Sequence, residues 1–122
     1  MIGIDVVDVA RFERMVLRSP AVQRRLFTAR EIAYCSSKPD ASVRFAGTLA
    51  AKEAVIKALG LGPLVVWARR IEIERRRGAP IALVEELGEV EVSISHDGGV
   101  AAAVAISPFA PRGLRTPVAA RR

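Results

Sequence analysis

In the stretch LAAKEAVIKALG, residues 49–60, Glu53 and Lys57 stand one helical turn apart. Positions 46, 50, 53 and 57 share a helix face, and that face otherwise carries alanine. Two uses of the charges compete. As a surface ion pair, with glutamate preceding lysine in the favoured order, they contribute about 0.3–0.5 kcal/mol. Alternatively the alanines let another backbone or a ligand approach closely, and the charges serve what arrives. Asp5 favours the second use. It stands in an apolar strand, where a carboxylate costs free energy unless it is paired or bound to a metal. Two carboxylates from separate elements, with a lysine nearby, suit Mg²⁺ and phosphate. Mg²⁺ takes one or two carboxylates plus phosphate and water, and the lysine offsets phosphate charge.

A second group is Ser93-Ile94-Ser95-His96, followed by Asp97-Gly98-Gly99. His96 is the single histidine. At a strand end before a turn it can be a local hydrogen-bonding residue or a functional one. Ser93 and Ser95 share a strand face and can donate to phosphate. Neither lies in a nucleophile elbow, so a hydrolase triad is not indicated. A third group is basic. Arg11, Arg14, Arg18, Arg24, Arg25 and Arg30 lie among only Asp5, Asp8 and Glu13 in the first thirty residues. Such a patch is either an ordinary solvated face or attracts an acidic partner: nucleic acid, a phosphorylated metabolite or an acidic protein.

Several elements must position these residues. MIGIDVVDV alternates as a strand, with Ile2, Ile4 and Val6 on one face and Gly3, Asp5 and Val7 on the other. Asp8 can cap a helix running to about Leu17. Ser19-Pro20 restarts a helix. TARE at 28–31 is a capping box for a short helix to about Cys35. After the loop 36–40, residues 42–59 form the longest helix, ended by Gly60 and Gly62. Phe45, Leu49, Ile56 and Leu59 give it an apolar stripe. Then the period changes to two. RRIEIERR is a strand, RGAP a turn, IALVEEL a strand or part of a helix, and EVEVSISH a strand with Val90, Val92 and Ile94 inward. DGG turns the chain into a last strand, VAAAVAI. Helices first and mostly antiparallel strands after, with the N-terminal strand joining the sheet, is an α+β fold with a long central helix.

Composition bounds the class. The chain has 122 residues, 51% of them apolar, enough for one domain with a core. It has no apolar run long enough to span a membrane and no basic-then-apolar leader. Its one cysteine, Cys35, has no disulfide partner within the chain, and no Cys/His cluster suggests zinc. A cytoplasmic protein is the plain expectation. The net charge is +6, but residues 107–122 hold Arg112, Arg115, Arg121 and Arg122 and no acid. Without them the balance is +2. A domain over residues 1–106 and a flexible Pro/Arg-rich tail over 107–122 are expected. A nucleic-acid-binding module is disfavoured: aromatics are only 5% and no helix-turn-helix or zinc pattern is present.

Together these pieces resemble the 4′-phosphopantetheinyl transferases of the short holo-acyl-carrier-protein synthase type. GIDVVDVARFERM at 3–15, LFTAREIAYC at 26–35, AAKEAVIKALG at 50–60 and VSISHDGGVAAAV at 92–104 occur in the family's order. The resemblance implies transfer of the phosphopantetheine arm of coenzyme A to a serine of an acidic apo acyl carrier protein, releasing 3′,5′-ADP. Fatty-acid, polyketide and peptide-synthesis carriers all fit. It implies that Asp5 and Glu53 hold Mg²⁺ and that Lys57 contacts the diphosphate. It implies that His96, with Ser93 or Ser95, lies by the coenzyme A nucleotide. Arg11 and Arg14, with Met15 nearby, would meet the carrier protein. A homotrimer with active sites between subunits is also implied. The attacking serine needs a proton acceptor, for which Glu53, Asp5 and a metal-bound water all qualify.

Four departures stand out. Thr48 stands where many members have arginine, and Arg44 one turn earlier is the expected substitute. The usual Gly-Thr-Gly is Gly60-Leu61-Gly62. Asp8 stands where glutamate is common. The segment 80–93 has room for at most one or two helical turns where members place a helix. These departures keep a non-catalytic, carrier-binding relative as the competing reading.

Overall fold

The structure, a computed structural model, describes residues 1–108; all but the first two residues of the expected tail lie outside the described residues. The alternating N-terminal segment forms β1 (Ile2–Asp8). Asp8 then caps α1 (Val9–Phe12), its Oδ1 accepting the Arg11 amide at 2.9 Å. The helix widens into a π-helical turn over Glu13–Leu17. Ser19 caps α2 (Pro20–Leu26), which carries Pro20 in its first turn. The expected capping box is present at α3 (Ala29–Ser36): Thr28 Oγ1 accepts the Glu31 amide, and Glu31 accepts the Thr28 amide. α4 (Ala41–Leu59) ends where Gly60 takes the left-handed conformation, φ 64°. A one-turn helix, α5 (Leu64–Trp67), follows Pro63 and was not expected.

The strands after α5 are β2 (Ile71–Arg76), β3 (Ala79–Val84), β4 (Gly88–Asp97) and β5 (Val100–Ile106). IALVEEL therefore divides into strand and turn. The short 80–93 segment carries no helix: β3 returns directly into β4, with Val84 paired to Gly88. Residues 77–78 and 98–99 all have positive φ, as the tight turns of twisted hairpins require. The five strands form one antiparallel sheet in the order β1-β5-β4-β3-β2.

α4 lies across one face of that sheet, and the main core forms between them. Ala50, Ala54, Val55, Ala58 and Leu59 meet Ile71, Ile73, Ala82, Val84, Val90, Ala103 and Ala105. A second core joins Phe12, Phe27 and Phe45 under α1 to α3, with edge-on ring contacts. The sequence stripe along α4 was too narrow, because nearly every residue from Phe45 to Leu59 is buried. Among the described residues no helix covers the opposite sheet face. There Ile2, Ile4, Val6 and Ile106 stand 71%, 57%, 60% and 52% exposed, an apolar row on two paired strands.

Candidate functional site

Gly3 places β1 hard against α4. A Cβ at residue 3 would overlap the Ala54 carbonyl oxygen and lie 2.7 Å from the Ala58 amide nitrogen, so only glycine allows this approach. The alanine face of α4 thus receives a backbone. Two residues on, strand alternation turns Asp5 towards the helix. Lys57 Nζ donates to the Ile4 carbonyl at 3.0 Å and to Asp5 Oδ1 at 3.2 Å. Of the two uses open to Lys57, the helix-surface pair with Glu53 is not the one formed: Lys57 reaches across to β1 instead.

Asp5 Oδ2 is buried and, with Glu53 ionised, accepts no hydrogen bond, alone in this respect among the side chains of the described residues; only a protonated Glu53 could donate to Asp5. Glu53 is half-buried next to it, and its carboxyl is raised above the ordinary glutamate value. Burial is the largest cause and the Asp5 charge the next, while Lys57 opposes both. Two close carboxylates, one oxygen of which is orphaned, want a cation between them. The donor set is hard oxygen, which fits Mg²⁺. Among the described residues no group of three or more acidic, histidine or cysteine side chains is arranged for a metal. An ion here would complete its shell with water and phosphate, as Mg²⁺ commonly does. Arg11 and Met15 line the same cleft as Asp5 and Glu53. Arg14 is exposed on the next part of the same helical segment and does not line it.

Arg44 and His96 come together in a different cleft, on the β3–β4 side of α4, with Gly47, Arg75, Gly78 and Pro80. It shares no lining residue with the first. Arg44 Nε donates to Asp40 Oδ1 at 3.1 Å, which holds the Asp40 carboxyl below its usual range. His96 is not beside Asp5, Glu53 and Lys57 within the chain. It is also not beside Ser93 and Ser95 in facing. Register puts His96 in the row of Ala101 and Val7, towards α4, whereas Ser93 and Ser95 share the open face with Val104, Ala102, Ile4 and Val6. Thr48 is buried, its hydroxyl donating to the Arg44 carbonyl at 2.8 Å. The cation that meets it is Arg75 from β2, whose two terminal nitrogens each lie 3.4 Å from Thr48 Oγ1.

Two residues that hold the site in place escaped sequence reasoning. Lys52 and Glu31 form a buried ion pair, Nζ to Oε1 2.6 Å, with both side chains almost wholly excluded from solvent. Lys52 also donates to the carbonyls of Leu26, at 3.0 Å, and Ala68. Glu31 Oε2 accepts the Ile73 amide at 2.7 Å. Burial raises the Glu31 carboxyl and lowers the Lys52 ammonium, each opposed by its partner. The signal was available: the stripe 45, 49, 56, 59 has a gap at its regular spacing, and Lys52 fills it. A lysine inside an apolar stripe demands a buried acceptor.

The sequence model of the 4′-phosphopantetheinyl transferase superfamily matches residues 1–105. The chain belongs to that superfamily. It is 40% identical over 124 residues to the holo-[acyl-carrier-protein] synthase of Moorella thermoacetica, covering 91% of this chain and 97% of the relative. In fold this transferase is similar to the Helicobacter pylori holo-[acyl-carrier-protein] synthase solved in complex with coenzyme A. That match has a TM-score of 0.74 and 33% identity, over 87% of this chain and 98% of the other. A Bacillus anthracis holo-(acyl-carrier-protein) synthase, solved in complex with coenzyme A as 3′,5′-ADP, also gives a TM-score of 0.74 at 33% identity. It covers 85% of this chain and 91% of its own. The expected α+β architecture and the expected enzyme class are both borne out.

Proposed function

We propose that this transferase moves the 4′-phosphopantetheine arm of coenzyme A onto a serine of an acidic apo acyl carrier protein, with Mg²⁺ as cofactor. The single observation that carries this reading is the orphaned Asp5 Oδ2 beside Glu53, with Lys57 at the same point. The serine oxygen forms a bond to the phosphorus that bears the pantetheine arm. The bond from that phosphorus to the bridging oxygen breaks, and 3′,5′-ADP leaves. The serine proton passes to a carboxylate oxygen of the pair or to water. Lys57 offsets the charge that gathers on the leaving diphosphate oxygen. Asp5 and Glu53 would hold Mg²⁺, which when bound neutralises the diphosphate charge.

Arg11, in the same cleft, and Arg14 give an acidic carrier a cationic approach, and Met15, 71% exposed, supplies apolar contact beside it. Ser93 and Ser95 face the open side of the sheet, so a role at the nucleotide would reach it from there. We infer a homotrimer. What supports it is the uncovered apolar row of Ile2, Ile4, Val6 and Ile106, and the division of cationic and acidic groups between two clefts, which a neighbouring protomer can unite. A cytoplasmic location is part of this proposal; among the described residues no helix is long and apolar enough to cross a membrane.

The test is the intact mass of apo acyl carrier protein after incubation with this transferase, coenzyme A and Mg²⁺, with a parallel sample in EDTA. A gain of one phosphopantetheine group, abolished by EDTA, is the expected result. No gain with fatty-acid, polyketide or peptide-synthesis carriers would leave a non-catalytic relative.

A further inference from the structure

A cavity of about 360 Å³ lies between the end of α2 and α3, lined by Arg24, Phe27, Ala29, Ile32, Ala33 and Arg69. None of these residues lines the cleft of Asp5 and Glu53 or the cleft of Arg44 and His96. Small-molecule sites have volumes of about 300–1,000 Å³ and mostly apolar walls with a few polar groups, and this cavity has both properties. Ala29, Ile32 and Ala33 stand three and four residues apart on α3 and so share one face. Phe27 closes the floor and is held there. Its ring meets Phe12 edge-on at 6.3 Å and Phe45 at 5.0 Å, and Lys52 Nζ lies 5.5 Å from its centre. The floor belongs to the second core, so the cavity exists before any ligand arrives.

The charged groups at this cavity are both cations. Arg24 stands in the last turn of α2 and Arg69 follows α5, and both are exposed. Among the described residues neither is paired with a carboxylate. The acids of α3 and β2 are engaged elsewhere: Glu31 with Lys52, Glu72 with the Thr28 hydroxyl at 2.6 Å, and Glu74 with Arg30 and Arg76. We infer that this cavity binds a medium-chain fatty acid, with its carboxylate at Arg24 and Arg69 and its alkyl chain over Phe27 and Ile32. A guanidinium matches the two oxygens of a carboxylate. A chain laid along Ala29, Ile32 and Ala33 removes apolar surface from water. Two other occupants fit less well. Residues 109–122 of this chain carry four arginines and no acid, so their charge opposes two further arginines. A partner protein needs about 800 Å² of surface on each side, whereas this is a concave site sized for one small molecule. The inference is independent of the transfer reaction proposed above.

The experiment titrates sodium octanoate into the full chain by calorimetry, with 1-octanol, octyltrimethylammonium and acetate as comparison ligands. Wild type is expected to bind octanoate saturably at one site. Octanol, which lacks the charge, and acetate, which lacks the chain, should each bind at least about tenfold more weakly, and octyltrimethylammonium should not bind. Arg24→Gln/Arg69→Gln should weaken octanoate by at least about tenfold. Arg25→Gln/Arg30→Gln removes the same charge from positions outside the cavity and should leave the affinity within about twofold. Ala33→Trp fills the cavity and should abolish binding, with melting temperatures as the check on the fold; the two arginine pairs decide the question if that variant does not fold. Absence of saturable octanoate binding, equal affinity for octanol, equal losses in the two arginine pairs, or undiminished binding by a folded Ala33→Trp would overturn the inference. If Arg24→Gln/Arg69→Gln raised the KM for acyl carrier protein and left octanoate affinity unchanged, the cavity would belong to a protein-docking surface and the inference would fall.

Discussion

Replacing Lys52 with methionine should cost a large share of the stability of this fold. Lys52 Nζ is the donor to three buried acceptors: Glu31 Oε1 and the carbonyls of Leu26 and Ala68. Methionine fills a similar volume and donates nothing. It leaves Glu31 buried, with the amides of Thr28 and Ile73 as its partners but no cation. Breaking a buried pair from one side costs about 3–5 kcal/mol. A domain of this size has about 5–15 kcal/mol in all. At about 3–6 °C per kcal/mol for a domain of this size, the melting temperature should fall by roughly 10–30 °C. The loss should be shared by Glu31→Leu, and it should not add. In Lys52→Met/Glu31→Leu neither charge is stranded, so the double variant should be more stable than the sum of the single losses implies. Urea melts of the four proteins at neutral pH measure this. A single-variant loss under about 1 kcal/mol, or strict additivity, would refute the reasoning. The pair matters for function because it ties α4, with Glu53 as the next residue, to the start of α3 and to β2.

Other outcomes follow from the same geometry. The Glu53 carboxyl is raised above its ordinary 4.5, so the metal-free fold retains a proton that the unfolded chain has lost. Stability of the protein in EDTA should then fall as pH rises from about 4.5 through the raised value, and Glu53→Gln should remove that slope in melting temperature. Gly3→Ala would drive a Cβ into the backbone of α4 at Ala54 and Ala58. It should cost at least about 1–3 kcal/mol and lower transfer, since β1 also carries Asp5; an alanine variant with wild-type melting and activity would contradict the close approach. Ile4→Glu puts a charge on the uncovered apolar row. Light scattering after gel filtration should show a trimer for wild type and a monomer for the variant, and equal masses would count against the trimer.

Most elements were legible because local chemistry dictates them. Asp8, Ser19 and Thr28 cap the helices that their side chains announce, and Gly60 ends α4 in the conformation that favours glycine. α5 was not legible: four residues after Pro63 leave no period to detect. Asp5 could be singled out as a carboxylate that needs a partner, but the contact with Lys57, 52 residues away, is made by the fold, and the sequence alone left the short-range pair with Glu53 open beside it. Ser93 and His96 looked like one group because they are neighbours in sequence. In a strand, an odd separation places side chains on opposite faces, and that alone parts them. Arg75 carried no signal in a run of arginines; only the fold distinguishes it from Arg76 by giving one Tyr34 and the other Glu74.

The central claim is that Asp5 and Glu53 together seat a divalent cation at the transfer site. Titration of Mn²⁺ in the presence of coenzyme A, with free Mn²⁺ read by electron paramagnetic resonance, tests it in wild type, Asp5→Asn and Glu53→Gln. Stoichiometric binding by wild type, weakened by at least about tenfold in either variant, is the expected result. Equal Mn²⁺ affinity in all three proteins would contradict it, and the cation would then sit elsewhere.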